Sequence, residues 1–196
     1  TMHWCGCVRF DPPLNRELLE SMAAGGCRML LFGLESASPL TIERMHKGTH
    51  PETIGRILRD SAAAGIWNHA FFFFGFPGET LEEAQETVNF VYAHQDAIHS
   101  ASPGAFLLER YSPAQQDPAS YGITRIIDKP ERDLAIYFDY DVASGLNESM
   151  ADRLASRLVD VLPEKKFGQY YITDAYRLLY ASHLWERGEP MPLWLV

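Results

Sequence analysis

A carboxylate and a hydroxyl, Glu35 and Ser36, directly follow an apolar run and are suited to binding a small molecule. A carboxylate at the end of a buried strand accepts paired hydrogen bonds from a ribose diol or an amino group. Arg9 and Lys47 are cations expected on the same rim, where either can pair with a ligand carboxylate. Plainer interpretations stay open, because an acid in the first turn of a helix stabilises that helix and a lone cation is typical of the solvated surface.

A second candidate segment is the sequence GFPGE at 75–79, which follows four phenylalanines at 71–74. It lacks the lysine of a P-loop, and the acid Glu79 would repel a phosphate, so a triphosphate site is not expected. An adenine ring is flat and largely apolar, and it can lie against Phe76 and Pro77 without meeting charge. A tight turn that only closes a buried strand explains the same residues equally well.

Cysteine and histidine spacing predicts no metal centre. The chain has three cysteines, Cys5, Cys7 and Cys27, whereas a structural zinc site needs four ligands. An odd number of cysteines spread over two segments also argues against a disulfide framework. None of the seven histidines has metal-binding spacing, and no Gly-x-Ser-x-Gly motif marks a serine nucleophile. No catalytic residue and no metal ligand are therefore assigned.

Buried strands are expected to position these segments. Short apolar runs bounded by turn residues are typical of strands buried on both faces. The predicted strands are 7–10, 28–33, 70–75 and 105–108. Between them, apolar residues recur at helical spacing after capping signals. The signals are Asn15, Ser38-Pro39, Thr49 with Glu52, and Thr80 with Glu83. This alternation predicts an α/β fold with a parallel sheet, in which ligands bind at the carboxyl ends of the strands.

Composition changes after Tyr111, which predicts a division into 1–112 and 113–196. The first part carries the strand–helix repeat. The second part is predicted to be an appendage, loop-rich at first and then mainly helical, with helices around 150–161 and 173–187. Its aromatic side chains are expected to pack against helices more often than to approach a ligand.

Overall charge and hydropathy narrow the function classes. A net charge of -9 without a basic cluster argues against nucleic acid as a partner. No apolar run approaches the roughly 20 residues of a membrane span, and the first residues do not resemble a signal peptide. With 46% hydrophobic residues, a packed core is expected. A cytoplasmic protein with no membrane partner is the expectation.

Four motifs in register resemble a known family. They are the segments 26–36, 45–48, 64–66 and 74–80. In order and spacing they resemble the radical S-adenosylmethionine (SAM) enzymes. Together with Trp4 and the sequence VRFD at 8–11, the chain is similar to the branch whose members often carry an upstream cobalamin-binding domain. The resemblance covers about 1–112, and beyond it the likeness is loose.

The resemblance implies a fold, cofactors and contact residues. Radical SAM enzymes hold a [4Fe-4S] cluster and SAM in a partial (β/α)6 TIM-like barrel and cleave SAM reductively to a 5′-deoxyadenosyl radical. On this chain it implies strands three to six of such a barrel. Glu35 and Ser36 match ribose and methionine contacts, Lys47 lies where relatives place a base near the methionine carboxylate, and Arg9 lies at another contact position. The implied adenine segment comprises Phe73, Gly75, Phe76, Pro77, Gly78 and Glu79, with backbone from Leu107 or Leu108.

One departure from the family is large. The chain contains no Cys-x3-Cys-x2-Cys, the family's cluster-binding motif, and no Gly-Gly-Glu segment. Cys5 and Cys7 do not match that motif in number, spacing or place. We therefore expect a carboxyl-terminal part of a longer enzyme, or a truncated gene product, that alone binds no cluster and generates no radical.

Two functional hypotheses follow. The first is a fragment of a radical SAM enzyme whose intact form performs methyl transfer, cyclisation or rearrangement on an unknown small molecule or peptide, in some branches with cobalamin. The alternative is a non-catalytic α/β module that binds a nucleotide or a partner. Either way, exposed strand edges predict pairing with the missing barrel half or self-association.

Overall fold

Four parallel strands form the main sheet in the computed structural model, which describes residues 2–129, 135–161 and 172–190. They are β1 (Trp4–Val8), β2 (Cys27–Glu35), β3 (Trp67–Phe74) and β4 (Ser100–Ala105). The strands lie side by side in chain order, and each neighbouring pair is parallel. The predicted α/β class with a parallel sheet is confirmed. All four carboxyl ends therefore meet at one edge of the sheet.

Helices alternate with the strands. They are α1 (Arg16–Ala24), α2 (Pro39–Arg44), α3 (Pro51–Ala63), α4 (Leu81–Ala93), α5 (Pro113–Gln116), α6 (Glu148–Val161) and α7 (Ile172–Arg187). Ser38 and Pro39 begin α2 as predicted, although the Ser38 side chain makes no capping bond. Two other predicted caps are confirmed with their side-chain hydrogen bonds. The Asn15 side chain accepts a hydrogen bond from the Leu18 amide (2.9 Å), and Thr80 and Glu83 form a reciprocal capping box.

The predicted capping box of Thr49 and Glu52 is wrong. His50 is the N-cap of α3, and Pro51 occupies the first helical position. Proline suits that position because its missing N–H would be unpaired there anyway, so the helix begins one residue later than predicted. The Thr49 hydroxyl instead donates to the carbonyl of Phe10 (3.1 Å), which ties the loop after β1 to the entry of α3.

The main core lies on one face of the sheet, under α1, α3, α4 and α6. Phe72 and Phe74 are buried in it, with Leu19 from α1 and Ile57 from α3. Phe71 lies on the opposite face and is 36% exposed. The phenylalanine run is thus fully buried on one face only, because successive side chains of a strand alternate between faces.

A second sheet, which was not predicted, begins just before the predicted division at 112 and continues in the carboxyl-terminal part. Its strands are β5 (Leu108–Glu109), β6 (Ile123–Ile127) and β7 (Tyr137–Val142), antiparallel in the order β5-β7-β6. The predicted strand at 105–108 is really the end of β4 and the start of β5. A signal for β7 was present, since Phe138, Tyr140 and Val142 alternate with polar residues and contribute to one apolar cluster.

The last two helices cover both faces of the main sheet. Leu146, which precedes α6, joins the main core together with Ala151 and Leu158 of α6. On the other face, Leu178 of α7 packs against Met29 and Leu31 of β2. No helix among the described residues is long and apolar enough to cross a membrane.

Candidate functional site

Three predicted residues meet where β1 and β2 end. The Lys47 ammonium donates to Glu35 Oε1 (2.8 Å), and the Arg9 guanidinium donates to the carbonyl of Lys47 (3.1 Å). Arg9 also lies 3.6 Å from a carboxylate oxygen of Asp11. The structure therefore assembles one carboxylate and two cations into a rim cluster, consisting of Arg9, Glu35 and Lys47.

Glu35 holds an uncommon backbone conformation within this cluster. Its φ is 58°, in the left-handed region that a non-glycine residue rarely adopts. A Cβ on Gly33 would lie 2.8 Å from Glu35 Oε1, so the glutamate side chain folds back over a glycine that leaves room for it. Such strain costs on the order of 1 kcal/mol and collects at ligand sites, where neighbouring structure maintains it.

The loop after β3, residues 75–79, is shaped by glycine and by the segment before α6. Gly75 and Gly78 have φ of 79° and 83°. A Cβ on Gly75 would lie 2.7 Å from the Cβ of Ala151, and a Cβ on Gly145 would lie 2.5 Å from the carbonyl oxygen of Glu79. The Leu146 amide donates to that same oxygen (2.8 Å). Close backbone approach therefore holds the 75–79 loop in place.

Glu79 lies beneath this loop rather than on its outer side. Its side chain is fully buried, and its Oε2 accepts a hydrogen bond from the Gly75 amide (2.5 Å). The pKa of Glu79 is raised to about 7, mainly by burial and to a smaller extent by the neighbouring Glu83 carboxylate, while the Gly75 N–H, Arg44 and the Phe76 N–H oppose the shift. Glu79 thus closes the loop by bonding across it.

Ser36 also lies below the rim. It is fully buried, with its Oγ 3.0 Å from Thr87 Oγ1 of α4, and it accepts a hydrogen bond from the Ser38 amide (3.1 Å). The hydroxyl joins the end of β2 to α4, so its partners are structural ones. Leu107, by contrast, is 47% exposed on the connection between β4 and β5.

Aromatic rings link the 75–79 loop to the second sheet. The Phe76 ring lies edge-on to Phe106 and Tyr121, at centroid distances of 5.3 and 6.1 Å, and the Phe73 ring lies 5.7 Å from Phe106. Phe76 is buried by these contacts. Phe106 and Tyr121 were not identified from the sequence, because they lie where composition indicated only connection and loop.

A pocket of about 510 Å³ opens on the outer side of the 75–79 loop. It is lined by Leu40, Glu43, Arg44, His46, Phe76, Pro77, Gly78, Ser120, Tyr121 and Gly122. Arg44 is already paired in a two-point contact with the Glu83 carboxylate, one bond of which measures 3.1 Å. Three residues of the loop, Phe76, Pro77 and Gly78, line this pocket, whereas the residues of the rim cluster do not. The predicted residues thus fall into two groups on neighbouring strand ends.

A buried histidine on the other face of the sheet, His69, was also not identified from the sequence. His69 Nδ1 lies 2.7 Å from Ser100 Oγ, and its Nε2 lies 3.2 Å from Ser102 Oγ. Burial lowers the pKa of His69 to about 4, so the imidazole is neutral at neutral pH. Alternation along β3 and β4 places these three side chains on one face, a pattern that the sequence contained.

The described residues do not fit an iron–sulfur cluster. Cys5 and Cys7 lie on β1 and Cys27 is buried in the core, where burial raises the pKa of its thiol to about 11. Cluster ligands are thiolates, which such burial disfavours. Within the described ranges, no group of three or more His, Cys, Asp or Glu side chains could hold a metal ion.

The rim cluster combines an anion and a cation that are both within reach of solvent. Glu35 and Lys47 are both partly open to solvent, at 23% and 38% exposure. Their ion pair can open to give an acceptor for a diol or an amine and a donor for a carboxylate. The arrangement is suited to a ligand with both kinds of group.

Comparison with known proteins connects this geometry to a family. The model of the Radical SAM superfamily matches residues 5–91. An uncharacterized methyltransferase of Pyrococcus horikoshii is 35% identical over 112 residues, which are 54% of this chain and 24% of that protein. The bacteriochlorophyllide d C-8(2)-methyltransferase of Chlorobaculum tepidum is 27% identical over 143 residues, 67% of this chain and 31% of that protein. The chain thus spans about a quarter to a third of the length of these curated relatives.

A solved structure shares the fold. TsrM of Kitasatospora setae, a radical SAM methyltransferase with cobalamin and a [4Fe-4S] cluster bound, superimposes with a TM-score of 0.65. The match covers 91% of this chain and 40% of that chain at 18% identity. At this identity the likeness shows the fold alone, and it confirms the predicted likeness to part of a TIM-like radical SAM barrel.

Proposed function

We propose that the strand ends of this chain, whose residues 5–91 match the model of the Radical SAM superfamily, bind the adenosyl and methionine groups of SAM. The observation that carries the proposal is the rim cluster. Glu35, held at a positive φ, pairs with Lys47 beside Arg9. These three charged residues lie at the carboxyl edge of a parallel sheet, where α/β proteins bind ligands.

Each group of residues has a distinct role in this proposal. Glu35 accepts hydrogen bonds from the ribose hydroxyls, while Lys47 and Arg9 pair with the methionine carboxylate. The adenine lies along the loop at Gly75, Phe76, Pro77 and Gly78, with support from Phe73 and the backbone of Leu107. Ser36 and Glu79, both buried, hold the strand end and the loop in shape rather than touch the ligand. In an intact enzyme, a reduced cluster held by another segment would supply the one electron that cleaves bound SAM to methionine and a 5′-deoxyadenosyl radical.

The cluster itself is not assigned to these residues. Since the described cysteines do not form a ligand set, we propose that the thiolates come from a Cys-x3-Cys-x2-Cys segment outside this sequence. That segment would be the chain's partner in a working enzyme. Two of the curated relatives are named methyltransferases, which favours methyl transfer over cyclisation or rearrangement. The TsrM likeness extends the proposal to cobalamin, although no residue here is assigned to it.

A non-catalytic nucleotide-binding module is the second candidate. The missing cysteine motif favours it, because residues that bind SAM without a cluster cannot cleave it reductively. Anaerobic treatment of this chain with iron and sulfide tests the part that both candidates share, which is that these residues alone hold no cluster. The expected result is no iron–sulfur absorption and no 5′-deoxyadenosine from SAM. Formation of 5′-deoxyadenosine by the chain alone would overturn our assignment of the thiolates to another segment.

Calorimetric titration with S-adenosylhomocysteine tests the proposed site without requiring a cluster. This ligand keeps the adenine, the ribose and the amino-acid group, whereas adenosine keeps only the first two. Lys47→Met is expected to weaken S-adenosylhomocysteine binding about tenfold, since a charge-assisted bond is lost, and to leave adenosine binding unchanged. Glu35→Gln should weaken both.

Arg16→Met supplies the matched control. Arg16 pairs with Glu20 on the surface of α1 (2.9 Å), away from the rim, so this variant removes a cation without touching the site. It should bind both ligands like the original protein. If the original protein binds neither ligand, or if Lys47→Met and Arg16→Met behave alike, the proposed site is wrong.

A further inference from the structure

Glu79 is a buried carboxyl group with few hydrogen bonds. Its Oε2 accepts from the Gly75 amide (2.5 Å), while its Oε1 has no hydrogen-bond partner among the residues that the structure describes. A carboxylate removed from water needs several donors to compensate its charge. The backbone N–H groups of Gly75 and Phe76 favour the ionised form, but burial outweighs them, so the protonated form of Glu79 is favoured in the closed loop below about pH 7.

The loop gives this side chain little freedom to leave. The Glu79 amide donates to the carbonyl of Phe76 (2.8 Å), and its own carbonyl accepts from Leu146 (2.8 Å). Gly145 lies directly against the Glu79 backbone, with no room for even one methyl group. The carboxyl group can therefore reach water only if the 75–79 loop opens away from the segment before α6.

Charged groups on the surrounding elements do not neutralise Glu79. Arg44 approaches from α2 and Glu83 from α4. Arg44 directs its N–H groups to the Glu83 carboxylate, so this pair contributes little net charge. The segment around the start of α6 meets the loop through Gly145, Leu146 and Ala151, which do not titrate.

We propose that Glu79 is a proton-dependent clamp that closes the 75–79 loop when protonated and releases it when ionised. The clamp is a property of the folded chain. Its coupling to a ligand rests on the proposed function, since the ligand would be the adenosyl group held by this loop. Binding that seals the loop would then take up a proton.

The sign of the pH dependence follows from burial. The pKa of Glu79 is raised from 4.5 to about 7 in the folded chain. Its contribution to stability is therefore complete below pH 4.5, the ordinary value, and it is lost as the pH rises through about 7. The closed loop should be tight in mild acid and loose in mild base.

Urea unfolding of the original protein and of Glu79→Gln tests the clamp. Glutamine keeps an oxygen for the Gly75 N–H and carries no charge at any pH. Between about pH 5 and about pH 8, the unfolding equilibrium constant of the original protein should rise on the order of 100-fold more than that of Glu79→Gln. Glu82→Gln, which removes an exposed carboxylate three residues away, should retain the full dependence. Equal pH dependence in all three proteins would overturn the clamp.

A titration of the Glu79 side-chain carboxyl by ¹³C NMR covers the case in which Glu79→Gln fails to fold. The midpoint in the original protein should lie near the value of about 7. A midpoint at the ordinary glutamate value would contradict the clamp directly.

Proton linkage tests the coupling to the ligand. S-adenosylhomocysteine is titrated calorimetrically near neutral pH in buffers of different ionisation enthalpy. Uptake of a fraction of one proton is expected, and Glu79→Gln should abolish it. Binding without proton uptake would overturn the coupling. If no binding occurs, the proposed function and the coupling fail together, while urea and NMR still decide whether the clamp exists.

Discussion

The two strand ends that form the candidate site are held in different ways. At the end of β2, the rim cluster depends on side-chain ion pairs that are partly open to solvent, with Lys47 38% exposed. At the end of β3, the loop depends on backbone hydrogen bonds, glycine conformations and the fully buried Glu79. Partly exposed ion pairs contribute little to stability and can exchange partners with a ligand. Buried close packing cannot adjust in this way.

Because of this difference, substitutions at the two strand ends should affect different properties of the protein, ligand affinity at one and the free energy of unfolding at the other. A substitution in the rim cluster should change ligand affinity with little effect on folding. A substitution around the loop should first change the free energy of unfolding, because the loop shares its packing with α6 and the main core. Substitutions at Gly145, Thr80 and Lys47 should therefore differ in the size of their effect on stability.

Gly145→Ala should have the largest effect. A Cβ there would lie 2.5 Å from the Glu79 carbonyl oxygen, and the residue has a φ of 88°. We expect a loss of about 3 kcal/mol in the free energy of unfolding, measured by urea denaturation. Gly65→Ala is the matched control, since Gly65 has a φ of 78° with nothing within 4 Å of its Cβ position. It should lose only about 1 kcal/mol. Equal losses would show that the loop is not clamped by this segment.

Thr80→Ala should have an intermediate effect. Its hydroxyl accepts the Glu83 amide (3.3 Å) in the capping box that starts α4 directly after the loop. Loss of this cap should cost about 1 kcal/mol, read from thermal or urea unfolding. Ser38→Ala is the control, because Ser38 is the N-cap of α2 but its side chain makes no capping bond. It should change stability by less than about 0.5 kcal/mol.

Lys47→Met should have the smallest effect on stability and the clearest effect on binding. Its ion pair with Glu35 is partly solvated, so the free energy of unfolding should fall by less than about 1 kcal/mol. Affinity for S-adenosylhomocysteine should nevertheless fall about tenfold, as calorimetry would show. A large loss of stability without a change in affinity would reverse the comparison between the two strand ends.

Local sequence signals predicted where several helices begin. Asn15 and the Thr80–Glu83 pair were identified as caps because the donors and acceptors lie within a few residues of each other. The predicted cap at Thr49 is wrong because Pro51 shifts the start of α3 by one residue. The Thr49 hydroxyl instead donates to the carbonyl of Phe10, which is distant in the sequence. The weak strand sequence of β4, SASPGA, explains why that strand was placed too late.

By itself, the sequence determined the parallel α/β arrangement, the candidate segments at 35–36 and 75–79, and the family resemblance. These features depend on residue type and short spacing. Only the tertiary structure showed that Arg9, Glu35 and Lys47 form one cluster, and that Glu79 is buried. It also showed that Gly145 presses against the 75–79 loop from more than sixty residues away. Burial and close approach depend on which distant segments meet, and this is not encoded in any single stretch of the chain.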